Sequence, residues 1–189
     1  VKDVLLTASV GKQAHQNDKK RQETPQDAEQ TLQRGEALYA SGHYSDAGPF
    51  LKKSANLGAP QAQYLLGSMH HFGNGLEKNY TEAVRLYRES LENGYTKALL
   101  NLAWIYATRP TEVAVDIDGD EALILALKAV EEDPSPINYD ALAAVYARNS
   151  QFDKAIETEK QAISLSENKN SEFIYRLKLY EEGKPYILD

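Results

Sequence analysis

From about residue 27 onward the chain alternates between amphipathic stretches and short interruptions. Small and apolar residues recur at helical spacing, and breakers arrive at Gly42, Gly58, Gly73, Gly75, Gly94, Pro110, Gly119, Pro134 and Pro136. The segments between them, about 12 to 15 residues each, have the length of ordinary helices. Runs with the period of two that a half-buried strand requires are almost absent. The pattern predicts an all-α chain, with helices over roughly 27–41, 44–57, 60–72, 79–93, 95–108, 118–132, 136–149 and 152–166 and a closing helix near 171–182.

These segments repeat in pairs. Gly35, Gly67, Ala103 and Ala143 are small residues inside the first helix of each pair, here called anchors. An alanine follows in each second helix (Ala47, Ala83, Ala122, Ala155), and seven residues later another small residue (Ser54, Ser90, Ala129, Ala162). The anchor-to-alanine spacing is twelve in the first and last copies, sixteen in the second and nineteen in the third. The extra residues fall between the helices, in 73–78 and 109–119, where an array tolerates insertions. Residues seven apart share one helix face, and small side chains let two helix backbones approach closely.

Bulky residues fill the rest of the seam. Leu38, His70, Tyr106 and Tyr146 stand three after the anchors, and Arg34, Leu66, Leu102 and Leu142 one before. Arg34 is the charged exception, as suits a terminal repeat with one side in water. The chain thus divides into a polar segment, residues 1–26, and a repeat domain, residues 27–189. The polar segment contains the basic run Lys19-Lys20-Arg21, read as a solvated linker or the start of a surface helix. The chain starts at Val1, which fits either a processed product or a boundary within a longer sequence.

These residues resemble the tetratricopeptide repeat superfamily and, within it, the Sel-one-like branch. Residues 62–94 carry the likeness best: Ala62-Gln63-Tyr64-Leu65-Leu66-Gly67, the Gly73-Asn74-Gly75-Leu76 loop, Ala83 to Tyr87, and Gly94. The last copy, with Ala141 to Tyr146, Phe152 to Ile156 and Gln161-Ala162-Ile163, resembles a plain tetratricopeptide repeat. The resemblance implies a right-handed superhelix, an α-solenoid of about four antiparallel helix pairs plus the closing helix. It also implies a concave groove and a role in assembling other proteins.

Charge and composition remove several other functions. A formal net charge of -7 disfavours a nucleic-acid partner, which calls for a basic face. No apolar run approaches the roughly 18 residues of a membrane span. With no cysteine, thiolate metal sites and cysteine nucleophiles are excluded. The adjacent pair His70-His71 cannot converge on one ion, because neighbours on a helix point about 100° apart. The acidic run Asp116-Ile117-Asp118-Gly119-Asp120-Glu121 lacks the glycine and glutamate positions of a calcium loop, so Asp118 or Asp120 is read as a helix N-cap. The Gly73-Asn74-Gly75 loop lacks the Gly-Lys-Ser/Thr of a phosphate cradle. No metal, cofactor or catalytic residue is expected, and the chain reads as a non-enzyme.

What remains is the groove. In the resembled family the first helix of each pair lines the concave face, at positions three before and one, four and five after the anchor. Here these are Leu32, Glu36, Tyr39 and Ala40; Tyr64, Ser68, His71 and Phe72; Leu100, Trp104, Ala107 and Thr108; and Asp140, Ala144, Ala147 and Arg148. Tyr39, Tyr64, Ser68, His71, Trp104 and Arg148 are the candidate partner-binding residues, with the aromatic ones forming a stripe; the other reading is that some merely pack between repeats. The Lys and Asn of relatives that clamp chaperone carboxylates are missing from these positions. The expected function is a protein–protein interaction scaffold. The alternatives are a carbohydrate-binding or exopolysaccharide-assembly module using the same aromatics, or a self-associating structural protein. The expected compartment is the bacterial envelope or periplasm, with the cytoplasm as the alternative.

Overall fold

The computed structural model describes residues 25–110, 113–167 and 170–188. Among these the chain forms nine helices and no strand: α1 (Pro25–Ala40), α2 (Tyr44–Asn56), α3 (Pro60–Phe72), α4 (Tyr80–Glu92), α5 (Ala98–Thr108), α6 (Gly119–Glu132), α7 (Pro136–Arg148), α8 (Phe152–Leu165) and α9 (Ser171–Glu181). The helices pair as hairpins, α1 with α2 through α7 with α8, and each hairpin packs on the next. The result is the expected right-handed α-solenoid. Helix α1 touches α3, and α5 packs along α7. The basic run at residues 19–21 lies outside the described residues, as does nearly all of the polar segment.

The small residues stand where the helices meet. Ala47, Ala83, Ala122 and Ala155 are all 0% exposed, and the residues seven further on are buried with them. A Cβ on Gly35 would come within 2.8 Å of the Leu51 side chain, and one on Gly67 within 3.0 Å of the Tyr87 ring. Leu51 and Tyr87 both stand four residues after the conserved-in-register alanine of their second helix. Glycine at the first two anchors is therefore what lets a large side chain cross the seam. Arg34, at the edge of the array, is exposed.

The inserted loops are tied down. In the second hairpin, Gly75 has φ 70°, and a Cβ there would lie 2.6 Å from the Ser45 backbone nitrogen, so this loop seats directly on the start of α2. In the third, Ile117 is buried, and Val113 and Val115 pack against the core. Arg88 of α4 bridges to Glu121 at 2.9 Å and to Asp116 at 3.0 Å, clamping the loop from outside. Of the two acids proposed as caps for α6, Asp118 takes the role, accepting from the Glu121 N–H at 2.8 Å.

Helix α9 closes the array. Phe173 and Tyr180 are buried, with Tyr180 against Ala143, Ala147 and Ala155 of the last hairpin. Its cap is Asn170, whose side chain accepts from the Glu172 N–H at 3.0 Å. Ser171 is already the first helical residue.

Candidate functional site

The groove face is built by α1, α3, α5, α7 and α9, and its two halves differ in chemistry. In the first half, half-buried Tyr39 donates its hydroxyl hydrogen to Ser68 Oγ at 3.0 Å, joining α1 to α3. The Tyr64 ring lies 5.7 Å from that of Tyr87 and 5.2 Å from that of Tyr95, and burial raises its phenol above the ordinary value. His71 stacks on Phe72 at 4.2 Å and is 2% exposed. Desolvation, then the nearby Lys78 charge, lowers it to about 4, so it is a neutral ring at physiological pH.

In the second half a charge cluster lies beneath the surface. Arg176 of α9 donates through Nε to Asp140 Oδ1 of α7 at 2.6 Å, and both residues are 4% exposed. Glu159 of α8 is 0% exposed and lies beside Asp140. Burial, then the Asp140 charge beside it, pushes Glu159 up to about 9. Burial also raises Asp140, outweighing the pull of Arg176. Two carboxyl groups thus share one cation, and the cluster is neutral when Glu159 keeps its proton. The guanidinium is caged by rings: Trp104 at 5.4 Å, Phe173 at 5.3 Å and Tyr186 at 5.1 Å.

The exposed stripe differs from the expected one. Tyr39, Tyr64, Trp104 and Arg148 keep part of their surface open, whereas Ser68 is 5% exposed and His71 2%. Ala107, Thr108, Ala144 and Ala147, from the same register, are also buried. The cause is lateral packing of the first helices: Ala107 and Ala144 belong to one core cluster spanning α5 and α7. His70, expected in the seam, is instead half-buried and bonds the Glu77 carbonyl at 3.1 Å through Nδ1. The adjacent histidines have exchanged the places assigned to them. Arg148 ends α7, where burial and the neighbouring Arg109 charge lower it. Arg109 itself lies over the Tyr106 ring at 5.8 Å. The cage residue Arg176 was missed, because nothing in its local sequence separates it from a surface arginine.

Elsewhere, a hollow of about 810 Å³ lies between α2 and α4, where Glu82, Arg85 and Glu89 are paired with one another and Lys52 adds a further charge. Among the described residues no group of three His, Asp or Glu could hold a metal ion, and no helix is long and apolar enough to cross a membrane.

Two stretches of the chain, residues 60–95 and 96–134, match the Sel1 repeat model. The crystal structure of a Sel1 repeat protein from Oxalobacter formigenes superposes with a TM-score of 0.57 at 21% identity, over 86% of this chain and 70% of that one. A protective antigen of uropathogenic Escherichia coli displaying an SLR fold aligns at a TM-score of 0.38 and 19% identity, over 84% and 42% of the two chains. The uncharacterized protein NMB1327 of Neisseria meningitidis serogroup B is 33% identical over 103 residues, which is 54% of this chain and 20% of that protein's length. The family match thus covers less than half of the chain, and the solved Sel1 repeat protein shares its fold. The two matched stretches are the second and third hairpins, the two with the long inter-helix loops.

Proposed function

We propose that this protein is a non-enzymatic scaffold that holds a partner protein along the face made by its first helices. One observation carries the reading. Half-buried rings on the first helices of three successive hairpins, Tyr39, Tyr64 and Trp104, stand in groove register and keep an open edge. Aromatic side chains held this way supply large, rigid contact area at little entropic cost. Asp140, the carboxylate in groove register on α7, is bonded to Arg176 and covered, which supports binding over acid–base chemistry.

The test is crosslinking capture from cells expressing the full chain, compared with Tyr64→Ala and Trp104→Ala. Each substitution is expected to remove a discrete set of captured proteins while the helical spectrum stays unchanged. If both variants retain every partner, the groove reading falls. Glycan binding by the purified chain with no captured protein would favour the carbohydrate alternative.

A further inference from the structure

The stretch after α9 turns back across the groove. Gly183, at φ 70°, reverses the chain, and Tyr186 then reaches Trp104 of α5, with ring centroids 6.2 Å apart. The same ring stands edge-on to Tyr175 at 6.4 Å and has the Arg176 guanidinium over it at 5.1 Å. Two residues on, the Leu188 N–H donates to the Thr108 carbonyl at 2.6 Å, at the end of α5. Residues 185–188 are all half-buried and belong to no helix. A short extended segment thus sits where a ligand of the groove would sit.

Its seat has more to offer than the segment uses. Arg109 follows Thr108 directly and lies over the Tyr106 ring, and Arg148 ends the neighbouring helix α7. The Arg109 Nε is buried with no hydrogen-bond partner among the described residues. Neither arginine has a carboxylate partner among those residues, and Arg109 follows the residue whose carbonyl holds Leu188. In the sequence, the residue after Leu188 is Asp189.

We propose that the α5–α9 half of the groove is a receptor for an extended segment of a partner protein that carries an aromatic residue, an aliphatic residue two places later and an acid after it. The chain's own residues 184–188 are an internal occupant that the partner displaces. The aromatic ring enters the cage of Trp104, Tyr175 and Arg176, the aliphatic residue's N–H meets the Thr108 carbonyl, and the acid meets Arg109 and Arg148. This rests on the groove reading above and names its partner chemistry. A tethered occupant competes at high effective concentration, so the groove responds to strong partners and ignores weak ones.

The probe is a fluorescein-labelled peptide, Lys-Pro-Tyr-Ile-Leu-Asp, titrated into the full chain and followed by anisotropy. The double variant Tyr186→Ala/Leu188→Ala vacates the groove and is expected to bind at least about 10-fold more tightly than the native chain. Adding Trp104→Phe, or changing the peptide's Asp to Asn, weakens that binding severalfold; Arg148→Gln abolishes the difference between the Asp and Asn peptides. Amide exchange keeps the test independent of substitutions: Leu188 is protected in the native chain and loses protection when excess peptide is added. Equal binding by the native and vacated chains, or indifference to Trp104→Phe and to Arg148→Gln, overturns the proposal. So does a dimer in light scattering that Tyr186→Ala/Leu188→Ala dissolves, which would place the segment in a second copy. Should the peptide fail everywhere while Tyr64→Ala still loses captured partners, this inference falls and the groove reading stands.

Discussion

The two halves of the groove face solve the same packing problem with different materials. Around α1, α3 and α4 this face is neutral: a tyrosine hydroxyl on a serine, rings on rings, and a histidine stripped of its charge by burial. Between α7, α8 and α9 the same layer contains two carboxyl groups and a guanidinium. The neutral half meets its needs within single hairpins and their immediate neighbours. The charged half draws on three helices at once, and α9 is held there by a directional bond as well as by apolar area. A closing helix that must choose one register gains specificity from such a bond, at a cost in desolvation.

The sharpest way to break the contrast is to remove the cation. Arg176→Leu leaves Asp140 buried without a partner and is expected to cost about 3–5 kcal/mol in denaturant unfolding, and changing Asp140, Glu159 and Arg176 together to Asn, Gln and Met should restore most of it. In the neutral half the corresponding weak point is shape. Gly67→Ala puts a methyl 3.0 Å from the Tyr87 ring and should destabilise by about 1–3 kcal/mol, whereas alanine is native at the equivalent positions 103 and 143.

The pH dependence separates the halves with opposite signs. Glu159 has a folded value near 9, above its ordinary 4.5, so the native state retains a proton that the unfolded chain releases. Stability therefore falls as pH rises between about 4.5 and 9, and Glu159→Gln should raise the melting temperature at pH 8 and flatten this limb. His71 is the reverse case. Its folded value near 4 lies below the ordinary 6.5, so the unfolded chain binds the proton first and stability falls as pH drops from 6.5 to 4. His71→Phe should flatten the acid limb and leave the alkaline one unchanged, as read by thermal melts across pH. The smallest effect belongs to Tyr39→Phe, which deletes the bond to Ser68 and should cost about 0.5–1.5 kcal/mol.

The helices were legible because each carries a periodic apolar face and ends at a breaker, and the anchors because small residues are demanded wherever backbones meet. The groove register was legible only in part. Position four after the anchor reads as open in the sequence, yet His71 lies against Tyr80 and Tyr87 of its own hairpin, Ala147 joins Tyr180 of the closing helix, and Ala107 is buried in the lateral contact of α5 with α7. A single hairpin's periodicity carries no information about that lateral contact. Glu159 did leave a trace. It stands four after Ala155, the place of Leu51, Tyr87 and Ala126 in the other copies, so an acid in that column marks a buried charge. The ion partner, Arg176, and the segment at 184–188 left none, since a lone arginine and five aperiodic residues look the same on a surface as in a groove.

The matched sizes at the anchors bear on how such a protein diversifies. Glycine at 35 and 67 faces Leu51 and Tyr87, while the later copies place alanine at 103 and 143, with Ala126 and Glu159 in the column opposite. A first helix from a late copy joined to the second helix of the second copy would drive a methyl into Tyr87; the opposite graft would leave a void. Exchange of single helices between an early and a late copy is thereby disfavoured, whereas a whole hairpin carries its own matched sizes with it.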